Sequence, residues 1–125
     1  MRDLASDVEL MSLLRQTLEL LERRDLASVT DLMREDAVAV SPFAEGHEGA
    51  HRFHGREEIR DHFRAVQGQF AKFRLQDVFS DGLIYKVLLS DGDRRIIVVI
   101  EPDSDAARIK RLTICPSLLS RVLKT

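Results

Sequence analysis

The stretch FRLQDVFSDGLIYKVLLSDGDRRIIVVIEPDSDAARIKRLTIC, residues 73–115, decides the fold. It holds four runs rich in Val, Ile, Leu and Phe, at 73–79, 83–89, 96–101 and 108–115. Branched and aromatic side chains suit a pleated, half-buried surface, so each run is predicted to be a strand. Between the runs stand Ser80-Asp81-Gly82, Ser90-Asp91-Gly92-Asp93 and Pro102-Asp103-Ser104-Asp105. Short clusters of this kind turn the chain back on itself and join neighbouring antiparallel strands.

Upstream of this meander the period changes. From Arg56 the spacing Ile59, Phe63, Val66 predicts a helix with one apolar face, ending near Gly68. Residues 42–55 carry Pro42, three glycines and three histidines without a sustained period, and are expected to form the one long loop. Residues 37–41 read as a short strand. Asp25 is placed to cap a helix with apolar positions Leu26, Val29, Leu32 and Met33, in which the pattern changes at Asp36. Ser6-Asp7-Val8-Glu9 has the form of a capping box. Behind it Met11, Leu14, Leu18 and Leu21 recur at helical steps, widened by Leu10, Leu13 and Leu20, for a helix ending near Arg24. The tail after Pro116, with Leu118, Leu119, Val122 and Leu123, is expected to add a helical turn or to pack on a second subunit.

Helices first and a meander afterwards give an α+β fold, with three N-terminal helices wrapped on one face of a curved antiparallel sheet. A length of 125 residues makes a single domain, 1–125, the expectation. Strong curvature leaves a hollow between the layers, the usual site for a small, mostly apolar ligand.

Bulk properties exclude several classes of partner. With 19 basic against 21 acidic residues there is no excess positive charge for a polyanion, so nucleic acid is not expected. No run approaches the about 18 apolar residues of a membrane span, and the first seven residues lack an apolar signal segment; membrane is not expected and a cytoplasmic protein is. Cys115 is the one cysteine, which rules out an internal disulfide and reads as a small hydrophobe at the end of an apolar run.

Three phrases carry a family resemblance: Arg24-Asp25-Leu26 with Leu32-Met33-Arg34-Glu35-Asp36-Ala37-Val38; Ser41-Pro42-Phe43-Ala44; and Phe53-His54-Gly55-Arg56-Glu57-Glu58-Ile59-Arg60. Together with the element order they resemble the SnoaL-like branch of the nuclear transport factor 2-like superfamily, over nearly the whole chain. The resemblance implies a cone-shaped sheet around a pocket and a homodimer. It does not imply a reaction, because these phrases encode the fold. The superfamily's ketosteroid isomerases hold an oxyanion tyrosine and two acids at positions that match Thr17, Ser41 and the neighbourhood of Val99 here. A threonine is a weaker oxyanion donor and a serine cannot shuttle the proton a carboxylate takes, so steroid-type isomerisation is not expected. The epoxide hydrolases' Arg-x-Asp strand element is absent from every predicted strand, and the acid that cyclases place near the final strand is missing from 108–115.

Alternation within 73–79 puts Phe73, Leu75, Asp77 and Phe79 on one face. On a face lining the hollow, Asp77 would be a desolvated carboxylate with the raised proton affinity of a general acid or base. The alternative is a bulge or early strand end that turns Asp77 to solvent. Tyr85 shares a face with Leu83, Val87 and Leu89, and either donates its hydroxyl to a ligand or packs with that hydroxyl at a rim. Arg111, between Ile109 and Thr113, either meets an anionic group in the pocket or is solvated. His47, His51 and His54, with Glu45 and Glu48, form a set with metal-ligand chemistry but no diagnostic spacing, and are expected to be solvated loop residues. The expected pocket therefore comprises Thr17, Ser41, Phe73, Leu75, Val99 and Arg111. Asp77 and Tyr85 are the candidate catalytic pair, with no metal and no cofactor. Three functions fit: binding of a small apolar or polycyclic molecule, acid–base catalysis of the cyclase or isomerase type, or a structural dimer whose hollow is filled by its own side chains.

Overall fold

In the first helix, α1 (Leu4–Glu22), Leu10, Leu13, Leu14, Thr17 and Leu21 fall on one stripe and are buried. The computed structural model describes residues 4–43, 51–103 and 107–116. The stripe lies one step away from the expected one, leaving Met11 56% exposed. α1 begins at Leu4, ahead of the expected cap at Ser6, whose side chain lies outside what is described; so does the tail after Pro116. The helix closes with Asp25 N–H donating to Leu20 O at 2.9 Å and Arg24 N–H to Leu21 O at 3.0 Å, Arg24 taking the left-handed φ of 62°.

Asp25 caps α2 (Leu26–Val29) as expected, its carboxylate accepting from the Ser28 N–H at 3.2 Å and the Ser28 hydroxyl at 2.7 Å. This helix is shorter than expected. After one 3-10 turn, Thr30–Leu32, Met33 swings to φ −92°, ψ 156° and opens β1 (Met33–Ser41), four residues ahead of the expected start at Ala37. Arg34 ties the early part of β1, its guanidinium reaching Asp36 at 2.8 Å and Asp103 at 2.5 Å. A second strand, β2 (His51–His54), occupies part of the expected loop, because His51–His54 pair antiparallel with Val38–Ser41. α3 (Arg56–Phe70) follows, burying Ile59, Phe63, Val66 and Phe70. Gly55 makes this junction: at φ +88° it donates its N–H to Ala37 O at 2.8 Å while its carbonyl accepts from Ile59 N–H at 3.0 Å.

The meander forms as β3 (Arg74–Asp81), β4 (Ile84–Ser90), β5 (Arg95–Asp103) and β6 (Arg108–Pro116). The six strands make one curved, unclosed sheet in the order β2-β1-β6-β5-β4-β3. Four of its five pairings are antiparallel; β1 and β6 run parallel, so the sheet is mixed. One face packs against α1 and α3 around Phe63, Phe70, Phe73, Ile100 and Leu112.

Two bulges decide which side chains reach that face. Leu75 pairs with Leu89 but Asp77 pairs with Leu88, so Gln76 is an extra residue in β3. Glu101 pairs with Arg111 but Pro102 pairs with Ile109, so Lys110 is extra in β6. Each bulge reverses the inward phase downstream of it.

Candidate functional site

The space between the core face of the sheet and α1 is where the residues expected to bind a ligand were placed. Five of them face it. Thr17 is fully buried, its hydroxyl donating to Leu13 O at 2.8 Å. Ser41 is fully buried at the end of β1, its oxygen accepting the Phe43 N–H at 3.2 Å. Phe73 is buried and Leu75 partly so, both against the core. Tyr85 is half-buried on the inward face of β4, with its hydroxyl 3.9 Å from the Met11 sulfur at the edge of α1.

The other three lie outside. The Gln76 bulge moves Asp77 off the face it was expected to share with Phe73 and Leu75, and Val78 takes the inward place opposite Val87. Asp77 is exposed and its carboxylate accepts its neighbour's N–H, from Val78, at 2.8 Å. Because its partner Leu88 stands three residues from Tyr85, Asp77 and Tyr85 lie on opposite faces of the sheet, which undoes the expected pairing. Val99 is corrected as well: β5 alternates without a break, with Ile96, Val98 and Ile100 inward, so Val99 points out beside Lys86 and Thr113. Arg111 shares that outer face, where its Nε stands 3.7 Å from Glu101, while the Lys110 bulge turns Ile109 inward.

Electrostatically the interior is bare. Among the described residues the polar residues buried as a whole are Thr17, Thr30, Ser41 and Ser90, and no ionisable side chain is fully buried, although single nitrogens of part-buried residues such as His62 Nε2 are. Each hydroxyl has a partner within its own turn: Thr30 donates to Ala27 O at 2.7 Å, and Ser90 accepts from the Gly92 N–H at 3.0 Å.

One end of this interior has a chemistry the sequence did not announce. Phe43, inside the expected loop, meets Phe73 at 6.2 Å between ring centroids, and the Arg94 guanidinium lies 5.4 Å over the Phe73 ring. Asp91 holds Arg94 there through contacts of 3.1 and 3.0 Å. The Asp91 carboxylate also accepts the Arg94 and Asp93 N–H groups, the former above all, which keeps it below the usual carboxylate range. The only sequence signal for this end was the aromatic following Ser41-Pro42.

Of the loop histidines, the two described ones do not share a face. His47 lies outside the described residues. His51 and His54 are three apart on β2, so they face opposite ways, and no group of three metal-ligating side chains occurs among the described residues. A broad groove of about 620 Å³ opens where α3 begins, lined by Glu35, His54, Arg56, Glu57, Glu58 and Arg60. Its charges are mixed and Arg60 is already paired with Asp31 at 3.0 Å, so the groove lacks the apolar walls of a small-molecule site.

The model of the SnoaL-like domain matches residues 14–99. The chain belongs to the SnoaL-like family. Solved structures give this SnoaL-like fold the same placement. A protein of unknown function from Mesorhizobium loti, described as NTF2-like, is 18% identical with a TM-score of 0.64, over 94% of this chain and 97% of that one. A steroid delta-isomerase from Pseudomonas aeruginosa is 20% identical with a TM-score of 0.62, over 90% and 82%. A phenazine biosynthesis-related protein from the same organism is 15% identical with a TM-score of 0.61, over 98% and 85%. No curated protein sequence matches this chain. At these identities the likeness is one of fold.

Proposed function

We propose that this SnoaL-like protein is a non-catalytic binding protein that holds a small, neutral, apolar molecule between its sheet and α1, and does so as a homodimer. The observation that carries this reading is the composition of the interior, where the polar residues buried as a whole among those described are hydroxyls, each with a hydrogen-bond partner. A neutral apolar guest is the class that such walls accept without an uncompensated polar group. The isomerase reading, suggested by the name of one structural neighbour, loses support from the same residues. By the family resemblance Thr17 and Ser41 fall where isomerases hold an oxyanion tyrosine and a general base, while Val99 faces out and Asp77 is exposed.

The homodimer reading rests on the outer face of the sheet. Val40, Thr113 and Val99 form one row across it and Cys115, Ile97 and Leu88 the next, all half-buried. Arg52, Lys86, Asp77 and the Glu101–Arg111 pair surround them. An apolar centre inside a charged rim is the anatomy of a protein interface. A cytoplasmic setting belongs to the same proposal and suits the free thiol of Cys115.

Titration with N-phenyl-1-naphthylamine, a neutral apolar fluorophore, tests the binding reading. One saturable site per chain is expected, together with no isomerisation of a β,γ-unsaturated ketone above the buffer rate. Turnover that disappears in Asp77→Asn would establish the enzyme instead. Absence of any saturable site would leave the structural dimer with a filled interior.

A further inference from the structure

β2 is the sheet's short edge strand, hydrogen-bonded to β1 alone. Its two-residue period turns Arg52 and His54 to solvent and leaves His51 and Phe53 half-buried. Phe53 lies flat against His62 of α3, with ring centroids 3.9 Å apart and planes 16° from parallel; Phe63 stands 6.0 Å from His62, tilted by 51°. The His62 Nε2 is buried and has no hydrogen-bond partner among the described residues. Burial disfavours its charged form first of all, and the nearby His51 adds to this. Glu58, one turn earlier on α3, and Asp61, next to His62, are exposed, and the facing positions Ala37 and Ala39 of β1 carry no charge.

We infer that the stacked Phe53–His62 contact is an acid-sensitive latch, docked while the His62 imidazole is neutral and released when it takes up a proton. A neutral imidazole packs on a phenyl ring with little loss of hydration. An imidazolium in the same place gives up water at a buried Nε2 that no described residue accepts from. Its attraction to the Phe53 ring returns only part of that loss. The weakest attachment nearby is β2 itself, four residues long, so the strand is what yields. Release frees the hydrogen-bonding edge of β1 over Val38–Ser41, an exposed strand edge that can pair with another chain.

The test uses the full-length protein without ligand, so it stands apart from the binding reading. NMR of the histidine rings from about pH 8 to about pH 5 locates each titration, and amide exchange reports protection of His51–His54 over the same range. His62 is expected to titrate below the ordinary value of about 6.5, and exchange of the β2 amides, corrected for its intrinsic pH dependence, to quicken at least about tenfold as it does so. In His62→Phe, which keeps the stack and loses the proton, β2 protection is expected to be independent of pH. Protection unchanged through the His62 titration overturns the latch, as does a quickening that persists in His62→Phe. Should that variant not fold, His51→Gln decides: the His62 titration and the release then move together to higher pH, and a release that stays in place contradicts the account.

Discussion

Single side chains hold this protein at a few joints, and Gln67 is the clearest. From α3 its Oε1 accepts the N–H groups of Leu26 at 2.9 Å and Ala27 at 3.2 Å, and its Nε2 donates to the Arg24 carbonyl. One residue thus satisfies the opening amides of α2 and a carbonyl of the α1–α2 turn. Gln67→Leu leaves these part-buried groups unpaired and is expected to cost about 2–3 kcal/mol in urea unfolding. Gly55 is a joint of another kind. A Cβ there would meet Glu35 O at an ordinary 3.7 Å, so the cost of Gly55→Ala comes from the backbone, φ +88° with ψ 147°, and is expected to be about 1–3 kcal/mol. His62 acts through protons. Its folded value lies below the unfolded 6.5, so between the two values the unfolded chain binds more protons. Stability is therefore expected to fall as pH drops below about 6.5 and to be full above it, and thermal melts of His62→Phe should lose that part of the slope.

At the scale of elements, what was legible followed from period and punctuation. The four meander strands and the turns among them came from apolar runs and Asp-Gly clusters, and α3 from Ile59, Phe63 and Val66. Hidden from the sequence were features set by partners distant in the chain. β2 looks like loop because His51–His54 has no apolar alternation of its own and is a strand only through pairing with β1. The parallel β1–β6 contact joins residues some seventy positions apart. The bulges at Gln76 and Lys110 were invisible because alternation carries no mark of an extra residue. They decided the site, since one shift moved Asp77 out of the interior and the other kept Arg111 beside Glu101. The two sides of the first bulge give opposite expectations. Asp77→Ala should change stability by less than about 0.5 kcal/mol, whereas Val78→Asp, one residue on and facing the core, should cost about 3 kcal/mol or more. Equal effects in denaturant unfolding would mean that the bulge lies elsewhere.

For the whole molecule, the proposed reading gives the two faces of the curved sheet different tasks. It assigns the outer face, with Val99 among Val40, Thr113, Ile97 and Leu88, to a second copy. Sedimentation equilibrium should give a dimer for the native chain and a folded monomer for Val99→Lys, because a buried unpaired charge at the centre of an interface costs several kcal/mol. The inner face, with Thr17, Ser41 and Phe73, is assigned to the ligand. Of the expected pocket residues, Thr17, Ser41, Phe73 and Leu75 face inward on period alone, whereas the outward facing of Val99 and Arg111 depends on strand register. The central proposal is that an interior in which no described ionisable side chain is fully buried receives a neutral apolar guest. Its most direct test is to map N-phenyl-1-naphthylamine on the protein by NMR chemical-shift perturbation. Shifts concentrated at Leu14, Thr17, Phe73 and Val98 are the predicted result; shifts confined to Val40, Leu88 and Val99 on the outer face, or none at saturating probe, would contradict it.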